Sequence, residues 1–486
     1  MDLRLVPAAL TGWAVTAAGI LWLRAGAVTA LAVAVTMTAA LGWWAGRRAP
    51  GGPQRMPVAA VLAVALVGAG FAVAVVVRVA AVDGHPVAGY VGTVTTVTVT
   101  PTETPRVLDG GRTMMRASLV ALDGARSSGD VLVFASSGDY ARLAAGQPAT
   151  FRARVGRPTR RDLTVAVLSA TGEPAVGEAA PIHRAAHHLR TRFADAARLA
   201  LPPDQAAMLP ALVLGDTSAV PATATAEFRR SGLTHLTAVS GANVTIVCGA
   251  VLLSAVLIGP RAAVVLAAVA LVAFVIVVQP SASVLRAALM GAITLLAVVS
   301  HRRRQALPAL AATIVAVMVG APKLAVDVGF ALSVSATAAL IVIAPAWSRR
   351  LVDRGWPRPL ADAVSVAVAA QLVTAPLVAG ISGSMSLVAV AANLAVAPVI
   401  PPITVLGTAA AALCAVWPAG AEVLIRFTGP EVWWLLGVAR WAARMPAAAV
   451  PMPSGATGVL IAAMVMLAAA AAWHWVVSGR RDTIVR

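Results

Sequence analysis

Cysteine, tyrosine, lysine and acidic residues are all scarce in this 486-residue chain. The two cysteines, Cys248 and Cys414, both lie in apolar segments, which leaves no disulfide framework for a soluble domain and no thiol spacing for a zinc site. Lys323 is the one lysine, so no G-K-[ST] phosphate loop exists, and any energy coupling must come from a partner or a gradient. No H-E-x-x-H is present either. Charged residues make up 12% of the chain, little for a soluble surface, while hydrophobic residues, mostly Ala and Val, make up 59%. That profile belongs to a polytopic membrane protein. The formal net charge is +18 and rests almost wholly on arginine. Arginine suits phosphate because its planar fork meets two oxygens and keeps its proton. GC-rich coding produces the same bias, so composition alone does not assign nucleic-acid binding.

Residues 5–23, 25–45 and 58–82 are apolar stretches of spanning length, forming an N-terminal three-helix membrane region over 1–82. The first lacks an A-x-A-like cleavage site and reads as a retained anchor. Arg47, Arg48 and Arg55 sit in the turn before the third stretch and place it in the cytoplasm. Over 83–178 the pattern becomes alternating and β-branched, in runs at 87–99, 113–122, 130–134, 149–155 and 162–168. Five strands suit a small OB-like barrel outside the membrane. Arg152, Arg154, Arg157, Arg160 and Arg161 gather on its last two strands and their turn. They are either a phosphate-tracking surface or a solvated hairpin. Tyr90, Phe134, Tyr140 and Phe151 are few, so base stacking is weak.

Residues 179–232 hold interfacial helices, beginning with an amphipathic pattern at 183–201. His183 and His187 share one face there, but no third metal ligand accompanies them. From 233 to 486 successive spans are expected at 233–258, 262–278, 283–300, 307–320, 324–346, 360–380 and 459–477, with shorter Pro-interrupted stretches at 387–400 and 403–417. Residues 422–445, rich in Trp, suit an outer interfacial helix better than a span. The expected fold class is an α-helical polytopic membrane protein of about twelve spans with an inserted small β domain. Parity then puts the basic segments 301–304, 349–358 and 480–481, and both termini, on the cytoplasmic side.

The stretch 209–247 organises the rest. A helix pattern ends at Gly215-Asp216, a second ends in Arg229-Arg230, and an apolar segment follows with His235, Ser240, Gly241 and Asn243. Polar groups in hydrocarbon need partners or water, so this density suggests a protein-lined path. Small residues allowing close helix approach are the plainer reading for any Gly or Ser alone. Arg286 near a span's start either snorkels or faces the same path, and Gln371 and Asn393 flank Pro-broken segments. Asp327 either caps a helix or pairs with an Arg such as Arg286.

The sequences LVLGD (212–216) and FRRSGLTHLTAVSGANV (228–244) closely resemble the ComEC family of competence proteins. So do PSASVLRAALM (280–290), DVGFALSVSATAAL (327–340), AAQLVTAPLVAG (369–380) and AANLAVAPVIPP (391–402). The resemblance implies a cytoplasmic-membrane channel for single-stranded DNA in natural transformation, working with a DNA receptor and a cytoplasmic helicase or motor, with oligomerisation open. It implies no cofactor. Arg229, Arg230, His235, Ser240, Asn243, Arg286, Gln371 and Asn393 become the channel-lining or DNA-contacting set. Asp216, Gly232, Gly241, Asp327 and Gly329 become structural. Many family members read SGLHV where this chain has Asn243, which forms hydrogen bonds but does not titrate. Many also end in a metallo-β-lactamase-like domain; this chain stops after its last expected span, so a channel rather than an enzyme is expected. Two other classes compete: a secondary transporter of a small solute, and an intramembrane hydrolase using Ser240 with His235.

Overall fold

The computed structural model describes residues 5–48, 55–108, 110–136, 138–254, 258–279, 281–299 and 305–478. The basic segments expected at 301–304 and 480–481 lie outside them. The chain forms two compact units, Met1–Thr191 with Leu271–Phe330, and Arg192–Ala270 with Ala331–Arg486.

The first unit opens with α1 (Val6–Arg48) and α2 (Arg55–Asp83). Helix α1 breaks at Trp22 and Leu23, where Leu23 takes φ 59. There the chain doubles back: a β-carbon on Gly26 would lie 2.3 Å from the Ala18 carbonyl oxygen. The break falls where the two expected stretches, 5–23 and 25–45, meet.

The β domain follows, with β1 (Val94–Pro101), β2 (Arg106–Leu108), β3 (Arg112–Leu122), β4 (Ala125–Ser136), β5 (Ala149–Gly156) and β6 (Thr164–Val176). Strand pairing runs β1–β5–β6–β4–β3 and closes through β3 back onto β1, making a five-stranded barrel with the short β2 added beside β3. Only β4 and β6 pair in parallel among these strands. Burial alternates along β1, β3 and β5, which sends Val97, Met115, Leu119, Phe151 and Val155 into one core with Val133 and Leu168. The expected run at 87–99 begins as strand only at Val94. Pro86–Tyr90 is instead a 3-10 turn, and Gly92 has φ 89.

Four contacts tie the barrel to helix ends of its own unit. Arg161 Nη1 donates to the Leu21 carbonyl at the α1 break (3.0 Å), and the His85 ring meets the Ser128 carbonyl (2.8 Å). Thr104 donates its backbone N–H to Gln279 Oε1 (3.0 Å), and Lys323 pairs with Asp130 (2.8 Å).

Next come α3 (Pro181–Ala200), α4 (Pro203–Leu214), α5 (Ala222–Ser231), α6 (Gly241–Ser254), α7 (Pro260–Val278), α8 (Ala282–Val299) and α9 (Ala306–Gly320). Helix α3 is the expected amphipathic element, burying Phe193 and Ala197. Arg190 and Arg78 donate to Val277 and Val319 carbonyls, capping the C-terminal ends of α7 and α9. Trp13 Nε1 donates to the Ala325 carbonyl, and its ring meets Phe330 edge-on at 5.4 Å.

The chain closes with α10 (Val328–Val342), α11 (Ala344–Val352), α12 (Arg358–Ser382), β7 (Ser384–Ser386), α13 (Ala389–Val396), α14 (Ile400–Leu413), α15 (Pro418–Phe427), α16 (Gly429–Arg444), β8 (Ala449–Pro451) and α17 (Ala456–Ser478). Strands β7 and β8 pair antiparallel. Helix α16 buries Val432, Leu435, Leu436 and Ala439 and exposes Trp433, Trp434 and Trp441.

Among the described residues, five helical stretches are long and apolar enough to cross a membrane: Val6–Ala40, which folds back at Trp22–Leu23, Val61–Tyr90, Arg261–Val278, Val328–Val352 and Arg358–Ser382. A sixth arises if α13 and α14, bent by 55° at their break, count as one. The chain is thus a multi-pass membrane protein. Gly241–Ser254, Ala282–Ala297, Ala306–Gly320 and Ala456–Ala472 are apolar but shorter. At about 1.5 Å per residue, Ala306–Gly320 reaches less than a ~30 Å hydrocarbon core.

Candidate functional site

The organising stretch folds within the second unit as three short helices joined by two left-handed glycines. Met208 to Leu214 of α4 are all buried, and Gly215 ends the helix at φ 70. Asp216 then accepts from the Ser218 N–H (3.2 Å) and hydroxyl (2.6 Å), forming a side-chain turn. Helix α5 ends at Gly232, φ 76. A β-carbon there would come within 2.4 Å of the Ala389 β-carbon, so α13 presses on this glycine. Glycine is required twice over, by conformation and by space.

Arg229 and Arg230 are exposed on the last turn of α5, where cations favour the helix dipole. Ser386 donates its hydroxyl to the Arg230 carbonyl (2.9 Å) and accepts a long contact from Gln371 (3.4 Å) at its own carbonyl. Ser386 therefore links α12 to α5. Sequence reasoning passed over it, since one serine in a three-residue strand carries no pattern.

Ser240 and Asn243 come together at the start of α6. The Ser240 hydroxyl donates to Asn243 Oδ1 (3.3 Å), and the buried Asn243 amide donates to the Leu212 carbonyl at the end of α4 (3.2 Å). They line a small pocket with Leu212, Leu236, Ile400, Ile403 and the buried Thr404. One wall is thus the first turn of α14, just past the bend that separates it from α13. Gly407 packs the same helix onto α4, a β-carbon there lying 2.4 Å from Val213. The pocket offers neutral hydrogen-bonding groups inside an apolar wall. It has room for about one water molecule, which these groups can orient; Asn243 in contact with Ser240 cannot serve as a base.

The other sequence candidates are not among the residues that line this pocket. His235 is exposed in the 3-10 turn Thr234–Leu236. Gly241 begins α6. Asn393 donates to Ala389 one turn back in its own helix (2.8 Å). Arg286 belongs to the first unit, near the start of α8, where it is buried and its Nη1 lies 3.3 Å from Met290 Sδ. Asp327 caps α10 by accepting from the Phe330 N–H (2.8 Å), and Gly329 leaves room for that carboxylate, 3.0 Å from where its β-carbon would stand.

On the barrel, Arg152, Arg154, Arg157, Arg160 and Arg161 are all exposed. Arg152 and Arg154 point outward from β5, and the other three lie in the β5–β6 hairpin. A second basic surface escaped the sequence reading. Exposed Arg112 and Arg116 alternate with half-buried Met114 on β3, and Met114 pairs across to half-buried Phe134 on β4. Only the strand register makes these residues neighbours. Tyr140 and Phe151, by contrast, are buried in the core and meet edge-on at 5.3 Å. Burial pushes the Tyr140 phenol up to about 12, and among the described residues its hydroxyl has no hydrogen-bond partner.

Among the described residues, no three His, Cys, Asp or Glu side chains form a group able to hold a metal. The His183 ring instead packs over the backbone of Gly146. Neither curated proteins nor solved structures give a match to the chain. A family model described as competence protein matches residues 212–477, which begin at Leu212 in the pocket wall and take in the whole organising site after it. That match covers more than half of the 486 residues, and the chain belongs to the competence protein (ComEC) family.

Proposed function

We propose that the chain is a channel carrying single-stranded DNA across the cytoplasmic membrane during natural transformation. The observation that carries this reading is the junction of the Ser240–Asn243 pocket with the broken helix pair α13–α14, inside the segment the family model matches. Broken helices at membrane depth are tolerated where they line a cavity, and a polyanion needs a hydrated route because one charge in hydrocarbon costs several kcal/mol or more. Arg229, Arg230 and Arg286 contact phosphate; His235, Ser240, Asn243, Gln371 and Asn393 line the path.

The barrel is an OB-like domain outside the membrane that receives the strand. Its strand order supports this, with one parallel pair closing a five-stranded barrel. The β5–β6 arginines track the backbone, and Phe134 beside Arg116 adds a stacking platform. The barrel's ties to Leu21, His85, Gln279 and Lys323 support one common side for those helix ends. With α1 counted as two spans at its break, α13 and α14 as one each, and the short apolar helices added, about twelve spans bring both termini into the cytoplasm. The chain does no catalysis; a DNA receptor and a cytoplasmic motor supply capture and drive.

The test is uptake of labelled DNA by a strain lacking this chain, complemented with wild type, Arg229→Ala/Arg230→Ala or Asn243→Ala. Loss of import in the deletion, restored by wild type and reduced by both variants, is the expected result. Import at the wild-type rate without the chain overturns the proposal.

A further inference from the structure

The least explained charged surface is the corner where the span Val328–Val352 ends and the span Arg358–Ser382 begins. Arg349, Arg350, Arg354 and Arg358 are all exposed there. Among the described residues none of the four has a carboxylate partner. Of the two carboxylates nearby in sequence, Asp353 is exposed, and Asp362 accepts from the buried Ser348, a bond that staples α11 to α12.

The turn is built rather than loose. Gly355 takes φ +87, its N–H donates to the Val352 carbonyl (2.8 Å), and the Trp356 N–H reaches back to Leu351 (3.2 Å). This glycine-ended helix stop sets Trp356, 40% exposed, beside the arginines. Arg354 Nη1 donates to the Arg350 carbonyl (3.2 Å). Val352 and Leu360 are exposed on either side of the turn. Cations, an indole and aliphatic side chains thus share one short rim at the ends of two spans. That mixture matches the boundary between phospholipid headgroups and acyl chains. A surface reading nucleic acid needs the cations but not the exposed aliphatics.

We propose that this corner is a binding site for anionic phospholipid headgroups. The arginine forks take the phosphate oxygens, Trp356 sits at the glycerol level, and Val352 and Leu360 meet the chains. The site requires only that the two helices cross the membrane, so it stands apart from the DNA-channel reading.

The experiment places the full-length chain in nanodiscs of phosphatidylcholine alone or mixed with phosphatidylglycerol, and follows hydrogen exchange of amides 349–358. Phosphatidylglycerol is expected to slow exchange several-fold there and to leave the middle of α12 unchanged. Replacing all four arginines with Gln removes the difference, at roughly fivefold in anionic preference per arginine. The four-Lys variant, which keeps the charge and so the helix orientation, retains most of it. Equal exchange in the two lipids overturns the site, as does slowing that survives in the Gln variant. Slowing by inorganic phosphate or by a thymidine oligonucleotide in phosphatidylcholine discs, with none from phosphatidylglycerol, also overturns it.

Discussion

The β-barrel and the helical unit around Gly232 are held together in opposite ways. In the barrel, large side chains from alternating strand positions fill one core, with Phe151 edge-on to Tyr140. Burying them from water is what stabilises it. In the helical unit the close contacts are made at small residues. β-Carbons added at Gly232, Gly380 and Gly407 would each come within 2.4 Å of a neighbouring helix's side chain. In lipid there is little water to expel, so helices hold by close approach and by the few hydrogen bonds that reach across. The barrel is therefore damaged by making residues smaller, and the helical unit by making them larger.

The sharpest way to break that contrast is Phe151→Ala. It is expected to cost about 3–5 kcal/mol and to abolish exchange protection over 94–176 while α12 stays protected. Protection lost equally in both regions would show that they do not stand on separate footings.

A smaller effect comes with alkali. The Tyr140 pKa is raised from 10.0 to about 12. Its contribution is therefore whole below pH 10, where folded and unfolded phenols are both neutral. It is lost as pH rises toward 12, because the unfolded state ionises first; the loss is roughly 2–3 kcal/mol over that window. The chain has two tyrosines, so phenolate absorbance resolves Tyr140 from Tyr90. Tyr140→Phe should delete the late step and cost nothing at neutral pH, since among the described residues the hydroxyl has no partner. A large loss of stability at neutral pH would mean that this hydroxyl is bonded after all.

In the helical unit, Gly407→Val is expected to cost about 1–3 kcal/mol by forcing α14 off α4. Gly249→Ala, where among the described residues nothing lies within 4 Å, should be neutral or slightly stabilising. Thermal unfolding in detergent reads both, and equal effects would refute close approach as the organising contact. Smallest is Asn243→Ala, about 1–2 kcal/mol through the lost bond to Leu212. Asn243→Asp should fare worse than Ala in that assay, because the carboxylate cannot donate to Leu212.

Several parts of this molecule were legible in advance. Five strands between 94 and 176 follow from alternation punctuated by Gly and Pro, and α3 follows from its basic amphipathic pattern. The family motifs pointed to the segment 212–247 that the pocket occupies. Other features were hidden for physical reasons. The 3-10 turn at Pro86–Tyr90 sits in a β-branched run whose propensity resembles strand, and β2 is three residues long. Neighbours such as Arg116 and Phe134 lie far apart in sequence until the β3–β4 register joins them.

Composition and periodicity pointed to a multi-pass membrane protein with an inserted β domain, because long apolar runs favour lipid and two-residue alternation favours a half-buried strand. That the strands close into a barrel was decided by the pairing of β3 back onto β1. The partners of its polar side chains were a different matter. Asn243 met the end of α4, Asp327 capped its own helix, and Asn393 bonded one turn back. Hydrogen bonds are short and directional, so only the packed helices could decide which of these groups would face a cavity and which would be satisfied locally.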